Sequence, residues 1–97
     1  MPQQPAPRQA RDGPARILIV EDEAIVAFVL SECALSMGFE VEVLADGLQA
    51  MERLRRGDVD VAILDLGIPG LSGDHLARQA REQDPRLTIV LVAGPPG

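Results

Sequence analysis

Apolar positions along this chain switch repeatedly between strand-like runs and helical spacing. Arg16-Ile17-Leu18-Ile19-Val20 is an unbroken apolar run closed by Glu21-Asp22-Glu23, the pattern of a strand buried on both faces. From Ala24 to Met37 the period changes: Val26, Val29, Leu30, Cys33 and Met37 fall at helical spacing, and Gly38 stands where a C′ glycine ends a helix. Phe39-Glu40-Val41-Glu42-Val43 alternates strictly, which predicts a half-exposed strand at a sheet edge. Asp46-Gly47-Leu48-Gln49 reads as a capping box, opening a helix that turns Ala50, Met51 and Leu54 inward and stops at Gly57.

The second half repeats the scheme. Val59 to Leu64 reads as an internal strand ending at Asp65, and a loop covers Leu66 to Gly73. Leu76, Ala77 and Ala80 mark a third helix that ends around Asp84-Pro85, and Leu87 to Val92 is a fourth strand. A β-α-β-α-β-α-β order with short crossovers implies an α/β fold, a parallel sheet with helices on both faces.

Composition narrows the picture. At 97 residues the chain holds one domain. Phe28 and Phe39 are its only aromatics and the net charge is −6, which argues against a nucleic-acid partner, because phosphate binding needs an excess of cations and often aromatic stacking. The nine basic residues are all Arg. Residues 1–14, with Pro2, Pro5, Pro7 and Pro14, are expected to be a disordered tail, and the folded domain to occupy 15–97. Cys33, single and within an apolar stretch, is expected to be buried, and one thiol without an internal partner suits a reducing cytoplasm. No apolar run reaches membrane-spanning length, and the N-terminus lacks the apolar centre of a signal peptide.

The candidate chemistry lies at strand ends. In parallel α/β sheets the functional crevice sits at the carboxyl ends of the strands. Glu21 and Asp22 follow the first strand, and Asp65 ends the third. Three converging carboxylates repel one another unless a cation resolves the charge, and hard oxygen donors with room for water suit Mg²⁺ better than Zn²⁺. Any one of these acids alone would read as a solvated cap.

Ile17 to Glu23, Ala45-Asp46-Gly47, and Ile63-Leu64-Asp65-Leu66 with Pro69 and Gly73 together resemble the receiver domain of two-component signalling, over residues 16 to about 94. The resemblance implies a three-layer, flavodoxin-like fold with strand order 2-1-3-4, short of the family's fifth strand and last two helices. It implies that Asp65 accepts a phosphoryl group from a phosphohistidine or small acyl phosphate. It also implies Mg²⁺ held by Glu21 or Asp22, Asp65 and the backbone carbonyl of Gly67, and a histidine kinase or phosphotransfer protein as partner. On this reading the chain is no enzyme beyond assisting its own phosphorylation.

The chain departs from the family pattern in two places. Ala93 occupies the position where the family carries a Thr or Ser whose hydroxyl binds the phosphoryl group, and no Lys is present to pair with the acid pocket. The uncharged run Leu87 to Val92 is expected to form an open apolar edge. These features leave open a fragment, a decayed receiver, or a chain completed by dimerisation or segment swapping. They also keep a second function in view, a pseudo-receiver that binds partners without being phosphorylated. A Mg²⁺-dependent phosphohydrolase ranks far behind, because Gly67 stands where its general acid would be needed.

The first helix carries a further apolar stripe of Ala24, Phe28, Ser31 and Leu35. Phe28 and Leu35 are candidates for partner docking; the alternative, slightly favoured on sequence grounds, has them packing over sheet left bare by a missing fifth helix, or makes the stripe incidental. His75, without a second His nearby in sequence, reads as a surface imidazole.

Overall fold

The computed structural model describes residues 13–93. It contains β1 (Arg16–Val20), α1 (Ala24–Ser36), β2 (Glu40–Leu44), α2 (Gly47–Leu54), β3 (Val61–Asp65), α3 (Gly73–Gln83) and β4 (Thr88–Val92). All strand pairs are parallel, in the order β2-β1-β3-β4. The seven elements and the sheet order are those the sequence implies, with boundaries moved by a residue or two. Most of the expected N-terminal tail lies outside the described residues.

Two cores form, one on each sheet face. Leu18, Val20, Ala62 and Leu64 pack with Ala50, Met51 and Leu54 of α2 and Leu76 and Ala80 of α3. On the other face Ile17 and Ile19 pack with Ala34 of α1, flanked by Leu30, Phe39, Val41, Val61 and Ile63. The central strands β1 and β3 are therefore apolar on both sides, which is why their sequences run apolar without alternation. Leu18, Ile19, Val20 and Leu64 are fully buried.

The helix ends follow local chemistry. Gly38, at φ +91°, closes α1. Its N–H bonds Leu35 O at 3.0 Å while Phe39 N–H reaches Ala34 O at 3.1 Å, the paired bonds of a Schellman motif. The Asp46 carboxylate accepts from Leu48 N (2.8 Å) and Gln49 N (3.1 Å) to cap α2. Ser72 caps α3 through His75 N at 3.3 Å.

The orientation of α1 differs from the sequence expectation. Its inward residues are Ala27 and Ala34, with Leu30 half-buried, whereas Val29 and Met37 are exposed. Cys33, expected inside, is also exposed. Nearly every position of α1 is apolar, so several stripes compete and the sequence alone cannot rank them. Phe28 and Leu35 are 64% and 52% exposed; they do not pack over the sheet.

At the amino ends of the strands, Arg16 and Arg53 knit the sheet to α2. Arg16 pairs with Glu40 (3.1 Å) and Asp58 (2.7 Å), and Arg53 with Glu42 (2.7 Å) and Asp58. The β2 edge thus carries charge. The β4 edge does not: Val90 and Leu91 are 43% and 46% exposed there, as the sequence anticipates.

Candidate functional site

At the opposite, carboxyl end of the sheet, the β1–β3 register pairs Val20 with Leu64. The next residues, Glu21 and Asp65, are thereby side by side. Glu21 N–H continues the ladder to Leu44 O at 3.0 Å, and Leu66 N–H bonds Val92 O at 3.0 Å. Both strand ends are held by backbone bonds before any side chain is considered.

Glu21, Asp22 and Asp65 each offer a carboxylate oxygen, and these oxygens lie within 4.8 Å of one another. Glu21 and Asp65 are buried and Asp22 is exposed. Burial, the largest cause, pushes the Glu21 carboxyl above its ordinary range, and the neighbouring charges of Asp65 and Asp22 push the same way. Glu23 N–H, donating to Glu21 Oε1 at 3.0 Å, works against them. Such a cluster is unfavourable by itself and becomes favourable around a cation. Three oxygen donors with one side open to solvent fit a hard divalent ion that retains water.

The β3–α3 loop completes the site. Gly67 N–H donates to Asp65 Oδ1 at 3.2 Å, so the Gly67 backbone stays beside the carboxylate. Ile68 is buried and anchors the loop in the core. Gly73 begins α3 directly against the end of β3: a Cβ there would stand 2.5 Å from Asp65 O and 2.9 Å from Leu66 Cα. Val92 is the register partner of Asp65, which sets Ala93 one residue past that pairing, exposed at the rim.

The structure therefore brings together Glu21, Asp22, Asp65 and Gly67, with Ala93 alongside. Phe28 and Leu35 sit apart on α1. His75 lies half-buried on α3, 2.9 Å from the Gln79 amide. Asp46 and Gly47, which the sequence places at a helix cap and among the motifs of the receiver resemblance, both also touch the loop after Asp65. Gly47 N–H bonds Pro69 O at 2.9 Å. The signal was the Asp-Gly pair itself, because Gly is a poor choice inside a helix unless something approaches closely.

Comparison with known proteins finds relatives that share this fold. The family model of the response regulator receiver domain matches residues 17–95. The sensory transduction protein RegX3 of Mycolicibacterium smegmatis is 36% identical over 77 residues, 79% of this chain and 34% of that protein. A protein-glutamate methylesterase/protein-glutamine glutaminase of Anaeromyxobacter dehalogenans is 38% identical over 82 residues, 82% of this chain and 24% of that protein. The chain thus spans about a quarter to a third of the length of these relatives. Among solved structures, the response regulator TrrA of Thermotoga maritima, in complex with Mg²⁺-BeF, has TM-score 0.77 and 32% identity, covering 81% of this chain and 69% of its own. The receiver domain of a Pseudomonas aeruginosa sensor histidine kinase, with magnesium coordinated in its active-site cleft, has TM-score 0.75 and 31% identity over 81% of this chain and 66% of its own.

Proposed function

The chain belongs to the response regulator receiver domain family of two-component signalling, and from that premise we propose that Asp65 is its phosphoacceptor, with Mg²⁺ held by Glu21, Asp22, Asp65 and the Gly67 carbonyl. The observation that carries this reading is the mutual approach of three carboxylate oxygens within 4.8 Å at the carboxyl end of the sheet. Bound there, Mg²⁺ would offset charge on the phosphoryl oxygens.

The protein's own groups account for the rest. An Asp65 carboxylate oxygen attacks phosphorus and forms an acyl phosphate. The bond from phosphorus to the donor breaks, releasing imidazole from a phosphohistidine or acetate from acetyl phosphate. The Leu66 N–H bond to Val92 O and the Gly67 N–H bond to Asp65 Oδ1 hold the orientation of Asp65 through the step. The donor in the cell is a histidine kinase or histidine phosphotransfer protein, the setting is the cytoplasm, and the module signals by binding partners rather than by turning over a substrate. Phe28 and Leu35, exposed on α1, are candidates for the partner-facing surface.

Among the described residues, no helix is long and apolar enough to cross a membrane. The competing reading is a receiver-like interaction module without phosphorylation; Ala93, which brings no hydroxyl to the rim, is the feature on its side.

Intact mass after incubation with Mg²⁺ and acetyl phosphate tests the proposal. A single phosphoryl adduct in the parent, absent from Asp65→Asn, supports it. A folded parent that gains no adduct would move the assignment to the interaction module.

A further inference from the structure

The segment from Leu66 to Ser72 is pinned at places far apart in sequence. At its far end, Gly73 lies against the Asp65 carbonyl, where a Cβ would approach to 2.5 Å. In its middle, it meets the start of α2. Gly47 N–H bonds Pro69 O at 2.9 Å, and a Cβ at Gly47 would fall 2.2 Å from Leu71 O. Gly70 adopts φ +87°, and a Cβ there would stand 2.7 Å from Asp46 Oδ2 and 3.0 Å from Asp46 Cγ. Oδ1 of Asp46 caps α2 through Leu48 N and Gln49 N, and both carboxylate oxygens would crowd a Cβ at Gly70, Oδ2 at 2.7 Å and Oδ1 at 3.0 Å. Gly67 lies between Asp65 and this contact.

We propose that the first turn of α2, through Asp46 and Gly47, is a clamp that pre-orders the β3–α3 loop and thereby sets the affinity of the acidic pocket for Mg²⁺. The inference rests on the proposed Mg²⁺ site and adds positioning residues to it. Asp46 and Gly47 are not ligands. They hold the backbone at Pro69, Gly70 and Leu71, so that Gly67 stays at Asp65 before metal arrives. A loop already ordered loses less conformational freedom on binding, which strengthens the site without adding a contact to it. Two interlocked glycines on opposing segments, neither of which tolerates a Cβ, leave the clamp little slack.

The test compares three variants of the full chain by Mg²⁺ calorimetry and by amide hydrogen exchange without metal. Gly57 serves as control: it also has positive φ, at +74°, but nothing lies within 4 Å of a Cβ there. Gly70→Ala and Gly57→Ala both introduce backbone strain. Gly70→Ala is expected to weaken Mg²⁺ binding at least tenfold and to speed exchange across residues 66–71; Gly57→Ala should do neither. Asp46→Ser retains a capping oxygen while removing the Oδ2 that stands nearest Gly70, and should weaken Mg²⁺ binding several-fold even if Gly70→Ala fails to fold. Parent-like Mg²⁺ affinity in both Gly70→Ala and Asp46→Ser would overturn the clamp and leave the metal site standing. A parent that binds no Mg²⁺ would overturn both.

Discussion

Val92 is the register partner of Asp65 across the β3–β4 ladder, so Ala93 follows one residue past that pairing, exposed at the carboxyl end of the sheet with only a methyl group as its side chain. A hydroxyl at that place could donate to a phosphoryl oxygen, and a hydrogen bond to a charged group is worth about 1.5–3 kcal/mol. Ala93→Thr is therefore expected to raise the yield or lifetime of the Asp65 adduct by roughly tenfold or more, read by intact mass over time after the donor is removed. An unchanged lifetime would mean that position 93 does not reach the phosphoryl group.

Glu21 offers a trade between stability and binding. Its carboxyl is pushed upward by burial and by Asp65 and Asp22, so its ionised form is disfavoured in the fold, and the metal-free protein loses stability as pH rises past the ordinary carboxylate range. Glu21→Gln should raise the metal-free melting temperature at neutral pH by a few degrees and weaken Mg²⁺ binding. Thermal melts with and without Mg²⁺ measure both, and a lower melting point without metal would contradict the repulsion argument.

Asp58 behaves in the opposite sense. Its hydrogen bond with Arg53, with help from the Arg53 and Arg16 charges, holds its carboxyl below the ordinary range. Its stabilising contribution is present above the unfolded carboxylate value and fades as pH falls through the lowered folded value. Urea midpoints taken from pH 7 down to pH 3 should fall more steeply in the parent than in Asp58→Asn. Parallel curves would remove Asp58 from the account of acid unfolding.

Phe28 and Leu18 should separate surface from core. Phe28 is 64% exposed and Leu18 fully buried. Phe28→Asp is expected to change stability by about 0.5 kcal/mol or less, whereas Leu18→Ala should cost about 2–5 kcal/mol. With a histidine kinase donor, Phe28→Asp should slow phosphotransfer while leaving acetyl phosphate labelling intact. Equal loss with both donors would argue against a docking role.

Much of this protein was legible in its sequence because the signals are local. Strand identity followed from apolar runs whose length and flanking residues leave little choice, and the three acids declared themselves by standing at strand ends. Parallel crossovers then required Glu21 and Asp65 to meet, since neighbouring strands of a βαβ array end on the same side. Tertiary structure alone decided the rest. The facing of α1 depended on it, because a helix apolar all round carries no preferred stripe, and Ala27 and Ala34 turned inward in place of Val29, Cys33 and Met37. The second role of Asp46 and Gly47 depended on it too. A cap is written within four residues, but the contact of Gly47 with Leu71 exists only once α2 and the β3–α3 loop have packed.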